Sequence, residues 1–114
     1  MLSFPSAVKI YLCREPADMR KSFDGLSVMV KNVIRHDPLS GHIFVFVNRK
    51  GDRVKLLYWD RDGFALWYKR LEKGLFGLPK SDNSGLIDNR QLSMMLEGID
   101  ISSARLKRRF KLKI

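Results

Sequence analysis

HIFVFVNRKGDRVKLLYWDRDGFALWYKRL, residues 42–71, decides how the rest of the chain is arranged. Ile43 to Val47 is an unbroken run of β-branched and aromatic residues, and Val54, Leu56, Leu57, Tyr58 and Trp59 form a second run of strand length. Asn48 to Arg53 lies between them and contains Gly51 and Asp52, which tolerate the positive φ of a tight reversal, so the two runs are expected to pair as an antiparallel hairpin. Arg49, Lys50, Arg53 and Lys55 sit at or beside the turn, giving a tip with four cations that no core burial explains. After Asp60 the spacing predicts a helix. Asp62 would cap it, with Phe64, Trp67 and Leu71 three and four residues apart on the buried face and Tyr68, Lys69, Arg70 and Lys73 on the neighbouring one. Cations that neutralise phosphates and rings that meet bases or sugars are what nucleic acid asks of a surface. Trp59 and Trp67 fall in an apolar register and read first as core.

Upstream, Val8 to Cys13 is apolar and β-rich and reads as a strand near the sheet centre. A helix is expected from Pro16 to about Arg35. Met19, Phe23, Leu26, Val30 and Val33 form its stripe, Asp18 lies in its first turn, and Gly25 marks a close approach to the sheet. Residues 36–41, HDPLSG, form a turn. Downstream, residues 74–85 make a Gly-rich loop, and Leu86 and Ile87 a brief strand. Asp88 or Asn89 then caps a helix with Leu92, Met95, Leu96 and Ile99 on its apolar face. The expected core is Val8, Ile10, Leu12, Phe23, Leu26, Val30, Phe44, Phe46, Leu57, Trp67 and Leu71.

The fold class that follows is α+β, a small antiparallel sheet with a central β-hairpin covered by helices, in the order strand-helix-strand-strand-helix-helix. Its 114 residues suit one domain over 1–100 with a basic tail over 101–114. The single Cys13, with only His36 and His42 beside it, offers neither a disulfide nor a spaced metal-ligand set, so no cofactor and no metal are expected. No run approaches the length of a membrane span, and the start MLSFPSAVKIYL lacks the features of a secretory signal, which points to the cytoplasm. A net charge of +10 calls for an anionic partner. The excess is concentrated. Residues 42–80 hold nine cations against four acids, and 101–114 hold six cations against none.

The runs PADMRKSFDGL (16–26), SGHIFVFVNRKGDRVKLLYWDRDGFALWYKRLEKG (40–74) and QLSMMLEGID (91–100), taken together, resemble the TnpB-type accessory proteins, the second open reading frame of the sixty-six family of bacterial insertion sequences. The resemblance spans about residues 5–100. It implies a small protein encoded beside a transposase and aiding movement of the element, without the acidic triad of the transposase itself. The family-signature positions carried over are Asp18, Met19, Arg20, Lys21, Phe23 and Gly25, then Asn48, Arg53, Tyr58, Trp59, Asp60, Gly63, Trp67, Tyr68, Lys69, Arg70 and Leu71. The tail ISSARLKRRFKLKI departs from the family's usual aromatic-basic stretch.

Three functions compete on these residues. The first is a non-catalytic factor binding DNA at the element ends, or a transposase-DNA complex, through Arg49, Lys50, Arg53, Lys55, Tyr68, Lys69, Arg70 and Lys73, with Arg108 and Arg109 of the tail. The second is an interaction module docking on the transposase, which would display Trp59, Trp67 and Tyr68 on one exposed patch. The third is a metal-dependent nuclease, for which Asp18, Asp24, Asp60 and Asp62 would have to converge. The tail itself reads either as a mobile cationic block or, from the alternation of Phe110, Leu112 and Ile114 with Lys111 and Lys113, as an edge strand. Deleting residues 104–114 is expected to weaken nucleic-acid affinity at low salt while leaving the far-UV circular dichroism intact. Unchanged affinity would show the tail's charge to be idle.

Overall fold

The computed structural model describes residue 5, residues 7–100 with the side chains of 99 and 100 excepted, and the backbone of residues 105–106. The elements in order are β1 (Ile10–Leu12), α1 (Phe23–Met29) continuing into a π-helical turn (Val30–Ile34), β2 (Ile43–Val47), β3 (Arg53–Asp60), β4 (Gly63–Arg70), β5 (Leu86–Ile87), α2 (Asn89–Leu96), β6 (Ile99–Asp100) and β7 (Arg105–Leu106). Five strands make one sheet in the order β4-β3-β2-β1-β5, and β6 and β7 form a separate antiparallel pair.

All five residues of β2 are buried, which explains why its sequence is apolar throughout instead of alternating. Phe44 and Phe46 pack with Leu26 and Val30 of the α1 layer and with Leu57. Ile43, Val45 and Val47 pack on the other face with Leu92, Met95 and Leu96 of α2 and with Leu71 and Phe76. The molecule is therefore a helix-sheet-helix stack, in which α2 is fixed at its start by a capping box between Asp88 and Gln91.

Three expectations are corrected. The sheet is mixed, because β1 and β2 run parallel with α1 as their crossover, while the remaining pairs are antiparallel. The first helix begins at Phe23, not Pro16. Residues 17–21 are instead an irregular segment that continues beside β2, with the Ala17 amide donating to the Val47 carbonyl at 2.9 Å. Asp18 is therefore a turn residue and not the start of a helix, and a Cβ at Gly25 would meet Lys21 at 3.1 Å instead of the sheet.

The third correction concerns the aromatic helix, which is the strand β4. Asp60 pairs with Gly63 and the register continues to Arg53 opposite Arg70, so residues 53–70 are a hairpin closed on Arg61 at φ 62°. Asp62, read as a helix cap, donates its amide to the Asp60 carbonyl at 2.6 Å inside that turn. Ala, Leu, Lys and Arg in 65–70 are good helix formers. Eight cross-strand partners on β3 outweigh that local preference, since strand formation is decided by what lies opposite. Phe64 and Leu66 consequently face α1, while Trp67 faces α2.

Of the expected core, Ile10, Leu12, Leu26, Val30, Phe44, Phe46, Leu57 and Leu71 are buried. Val8 and Trp67 are half-buried against it, and Phe23 is 43% exposed at the start of α1. Leu86 and Ile87 do form a short strand, held to β1 where the Leu12 amide donates to the Gly85 carbonyl at 2.8 Å. Gly85 stands at φ +83°, and a Cβ there would lie 2.5 Å from the Leu12 carbonyl oxygen. Gly41 has a similar φ of +87° with nothing within 4 Å. Gly85→Ala is expected to cost about 3 kcal/mol or more and Gly41→Ala about 1 kcal/mol, measured by urea unfolding. Equal losses would show that φ alone, and not the contact with β1, requires the glycine.

Candidate nucleic-acid interface

The turn between β2 and β3 is built by Asn48. Its side-chain oxygen accepts from the amides of Gly51 and Arg53 at 2.9 and 3.0 Å, and its Nδ2 donates to Asp52 at 2.8 Å. That donation, followed by the charge of Lys50, holds the Asp52 carboxyl below its usual range. Arg49 and Lys50 are left exposed at the tip, with Lys50 only loosely paired to Asp52 at 3.8 Å. The loop 17–21 stands beside this tip. Asp18 accepts from the Arg20 amide at 2.9 Å and from its guanidinium at 2.6 Å, and these hydrogen bonds lower the Asp18 carboxyl to about 2.

Between loop and tip lies an open cleft of about 430 Å³, with Asp18 and Arg20 on one side and Asn48, Arg49, Lys50 and Arg53 on the other. Arg53, at the start of β3, connects it to β4. Arg53 and Arg70 are direct cross-strand partners, a like-charge pair that opposes sheet pairing. Arg70 is answered by Glu72 at 3.0 Å, whereas Arg53 donates to the neutral hydroxyl of Tyr68 at 3.1 Å. Tyr68 is 47% exposed on the same face.

The anticipated set is thus only partly assembled. Arg49, Lys50, Arg53, Tyr68 and Arg70 come together. Lys55 does not belong with them, since it is 5% exposed and its Nζ donates to the Met19 and Lys21 carbonyls at 2.9 and 2.7 Å while lying 4.7 Å from the Tyr68 ring centroid. It pins the loop 17–21 to the sheet. Lys69 points to the opposite face, where its Nζ donates to the Leu96 carbonyl at the end of α2. Lys73 is exposed beyond β4, and Arg108 and Arg109 lie outside the described residues. Arg20 was missed as a cleft residue because reading 16–35 as one helix placed it on a remote solvated face. Its place among the signature positions was the available signal.

The remaining signature residues sort by structure. Trp59 is half-buried and meets Phe64 edge to face at 5.1 Å, Trp67 is half-buried on the α2 face, and Asp60 is exposed at the β3–β4 turn. The single exposed aromatic patch asked of an interaction module is therefore not formed by Trp59, Trp67 and Tyr68. Cys13 is buried, and burial raises its thiol. Asp18 is engaged by Arg20, and among the described residues no three His, Cys, Asp or Glu side chains gather where they could hold a metal ion. Among the same residues no helix is long and apolar enough to cross a membrane.

The chain belongs to the IS66 Orf2-like family, whose model matches residues 8–106. That places it with the accessory proteins of insertion-sequence transposition. It is 36% identical over 101 residues to "Uncharacterized protein y4hO" of Sinorhizobium fredii, covering 88% of each chain. It is 32% identical over 108 residues to "Uncharacterized protein y4jC" of the same organism, covering 94% of this chain and 92% of the relative. No solved structure gives a significant match.

Two expectations follow from the cleft's supports. Lys55→Met leaves the Met19 and Lys21 carbonyls without their charged donor and is expected to lower unfolding stability by about 2 kcal/mol in urea, against under about 0.5 kcal/mol for Lys50→Met. Because the folded Asp18 titrates near 2 and the ordinary value is 3.8, its contribution is present above pH 4 and is lost as pH falls from there toward 2. Asp18→Asn is expected to remove that part of the acid sensitivity. Identical acid unfolding curves for the two proteins would mean that the pair with Arg20 adds nothing in solution.

Proposed function

We propose that the protein is a non-catalytic transposition accessory factor that grips the phosphate backbone of duplex DNA at the element ends, alone or within a transposase-DNA complex. The observation that carries this reading is the convergence of Arg20, Arg49, Lys50 and Arg53, from two separate parts of the chain, on one open cleft. Arg70 and Tyr68 extend the same face. A phosphate entering the cleft would answer Arg53, whose opposite neighbour on β4 is another arginine, and so would relieve a repulsion that the free protein retains. Tyr68 supplies a ring edge for sugar or base contact beside that charge. The arrangement favours grip over sequence reading, because the cations line a wall instead of projecting along a groove-filling helix or ribbon.

Affinity for duplex DNA is expected to fall with salt at a slope of about −0.9 per phosphate engaged, hence about −4 for four cations. Replacing Arg20, Arg49, Lys50 and Arg53 by Gln is expected to flatten most of that slope in fluorescence-anisotropy titrations on element-end and random duplexes. Lys31→Gln on the exposed side of the α1 layer should leave it unchanged. An unaltered slope in the fourfold variant would place the DNA surface elsewhere.

A further inference from the structure

The two edges of the main sheet are very different. β5 contributes two residues, whereas β4 contributes eight, contains no proline, and pairs on one side only among the described residues. Long bare edges of this kind invite another strand. The direction of the free groups follows from the register. The Leu71 amide donates to the Asp52 carbonyl at 2.8 Å, and the Asn48 amide to the Arg53 carbonyl at 3.1 Å. In an antiparallel ladder the hydrogen-bonded pairs recur every second residue. Gly63, Ala65, Trp67 and Lys69 therefore bond inward to β3, and Phe64, Leu66, Tyr68 and Arg70 present their amides and carbonyls outward.

We propose that the occupant of this edge is β4 of a second copy of the chain, joined antiparallel about a two-fold axis through Leu66. Direct partners in a sheet share a face, so only registers centred on one residue are allowed. Centring on Leu66 sets Phe64 opposite the partner's Tyr68, Ala65 opposite the partner's Trp67, and Lys69 opposite the partner's Gly63. It also sets Asp62 beside the partner's Arg70, twice by symmetry. Centring one residue earlier brings Arg61 against the partner's Lys69, and one residue later sets Arg70 against the partner's Phe64 and Asp62 beside the partner's Glu72. Charge complementarity therefore selects Leu66. About six backbone hydrogen bonds close in that register, with an aromatic pair on each side of the axis. Arg70 must exchange its exposed contact with Glu72, at 3.0 Å, for the partner's Asp62. Both copies then keep α1 on the same side of one ten-stranded sheet. This assembly does not depend on the DNA-binding reading.

Sedimentation velocity on the full chain tests it. A reversible monomer-dimer equilibrium is expected between micromolar and hundreds-of-micromolar protein. Asp62→Arg and Arg70→Asp each replace two complementary contacts with two repulsive ones, and each is expected to raise the dimer dissociation constant about tenfold or more. The double exchange should restore it, and circular dichroism confirms that each variant is folded. Amide exchange at Phe64, Leu66 and Tyr68 should slow as protein concentration rises. A chain monomeric throughout the range, or a dimer indifferent to both charge reversals, overturns the proposal. So does protection of those amides that is independent of concentration and lost on deleting residues 101–114, which would assign the edge to the chain's own tail.

Discussion

Everything in this fold answers to the burial of β2 on both faces. A strand with Phe44 and Phe46 on one side and Ile43, Val45 and Val47 on the other must be covered twice, so one chain of modest length has to supply two layers. The α1 layer comes from the crossover between the parallel strands β1 and β2. The second comes from α2 and the segment 71–76, which reach the far face only after the chain has turned back through β3 and β4. The sheet grows outward from this centre through β3 and β4, and the cations of the cleft collect at one end of it, on the β2–β3 turn, the start of β3 and the loop 17–21.

Sorting those cations requires their partners, because identical residues do opposite work within a few positions of one another. Lys55 and Arg53 lie on the same face of the same strand, two residues apart. Lys55 is enclosed, and its charge is spent on two carbonyls of the loop 17–21. Arg53 donates to a phenol hydroxyl, stands opposite another arginine, and shares the Asp52 carboxylate with Lys50 and Asn48. The enclosed lysine thus creates the wall against which the open arginine works. An ammonium suits this task, since it is a compact donor able to serve two carbonyls at once while resting against the Tyr68 ring.

What was legible in the sequence was whatever short-range chemistry decides. The β2–β3 hairpin followed from two apolar runs around Gly51, and the capped helix α2 from Asp88 with Leu92, Met95 and Leu96, because turn geometry and capping involve neighbours only, although Ile99 lies in the strand β6 and not on the helix. One helix expected to start too early and one expected where a strand forms failed for the same reason. In 16–22 and in 62–71 the apolar residues satisfy a helical spacing by coincidence, while the backbone partners that fix the conformation lie on another strand, Val47 for Ala17 and Arg53–Asp60 for β4. Asp62-Gly63 between two aromatic-rich runs is a hairpin signal that the reading of Asp62 as a cap left unused. The site inherited both errors: Arg20 was set aside with the first segment, and Lys55 and Lys69 were counted as free because a side chain's burial depends on what folds over it.

The same reassignment of 62–71 from helix to strand changes what the surface can do. A helix would have consumed its own amides and offered only side chains. A strand at the sheet's margin offers side chains on two faces and a row of backbone groups along its edge. Tyr68 and Arg70 therefore share a face with Arg53 while their amides and carbonyls point sideways, so the proposed anion binding and the proposed strand pairing would draw on different atoms of the same residues. Arg70 is where the two uses meet. Its guanidinium already has one exposed carboxylate, Glu72, and an incoming acid or phosphate must displace or share it. Exposed ion pairs of that kind are worth little and exchange readily, so Arg70 is the position at which the proposed assembly and the proposed anion binding would influence one another.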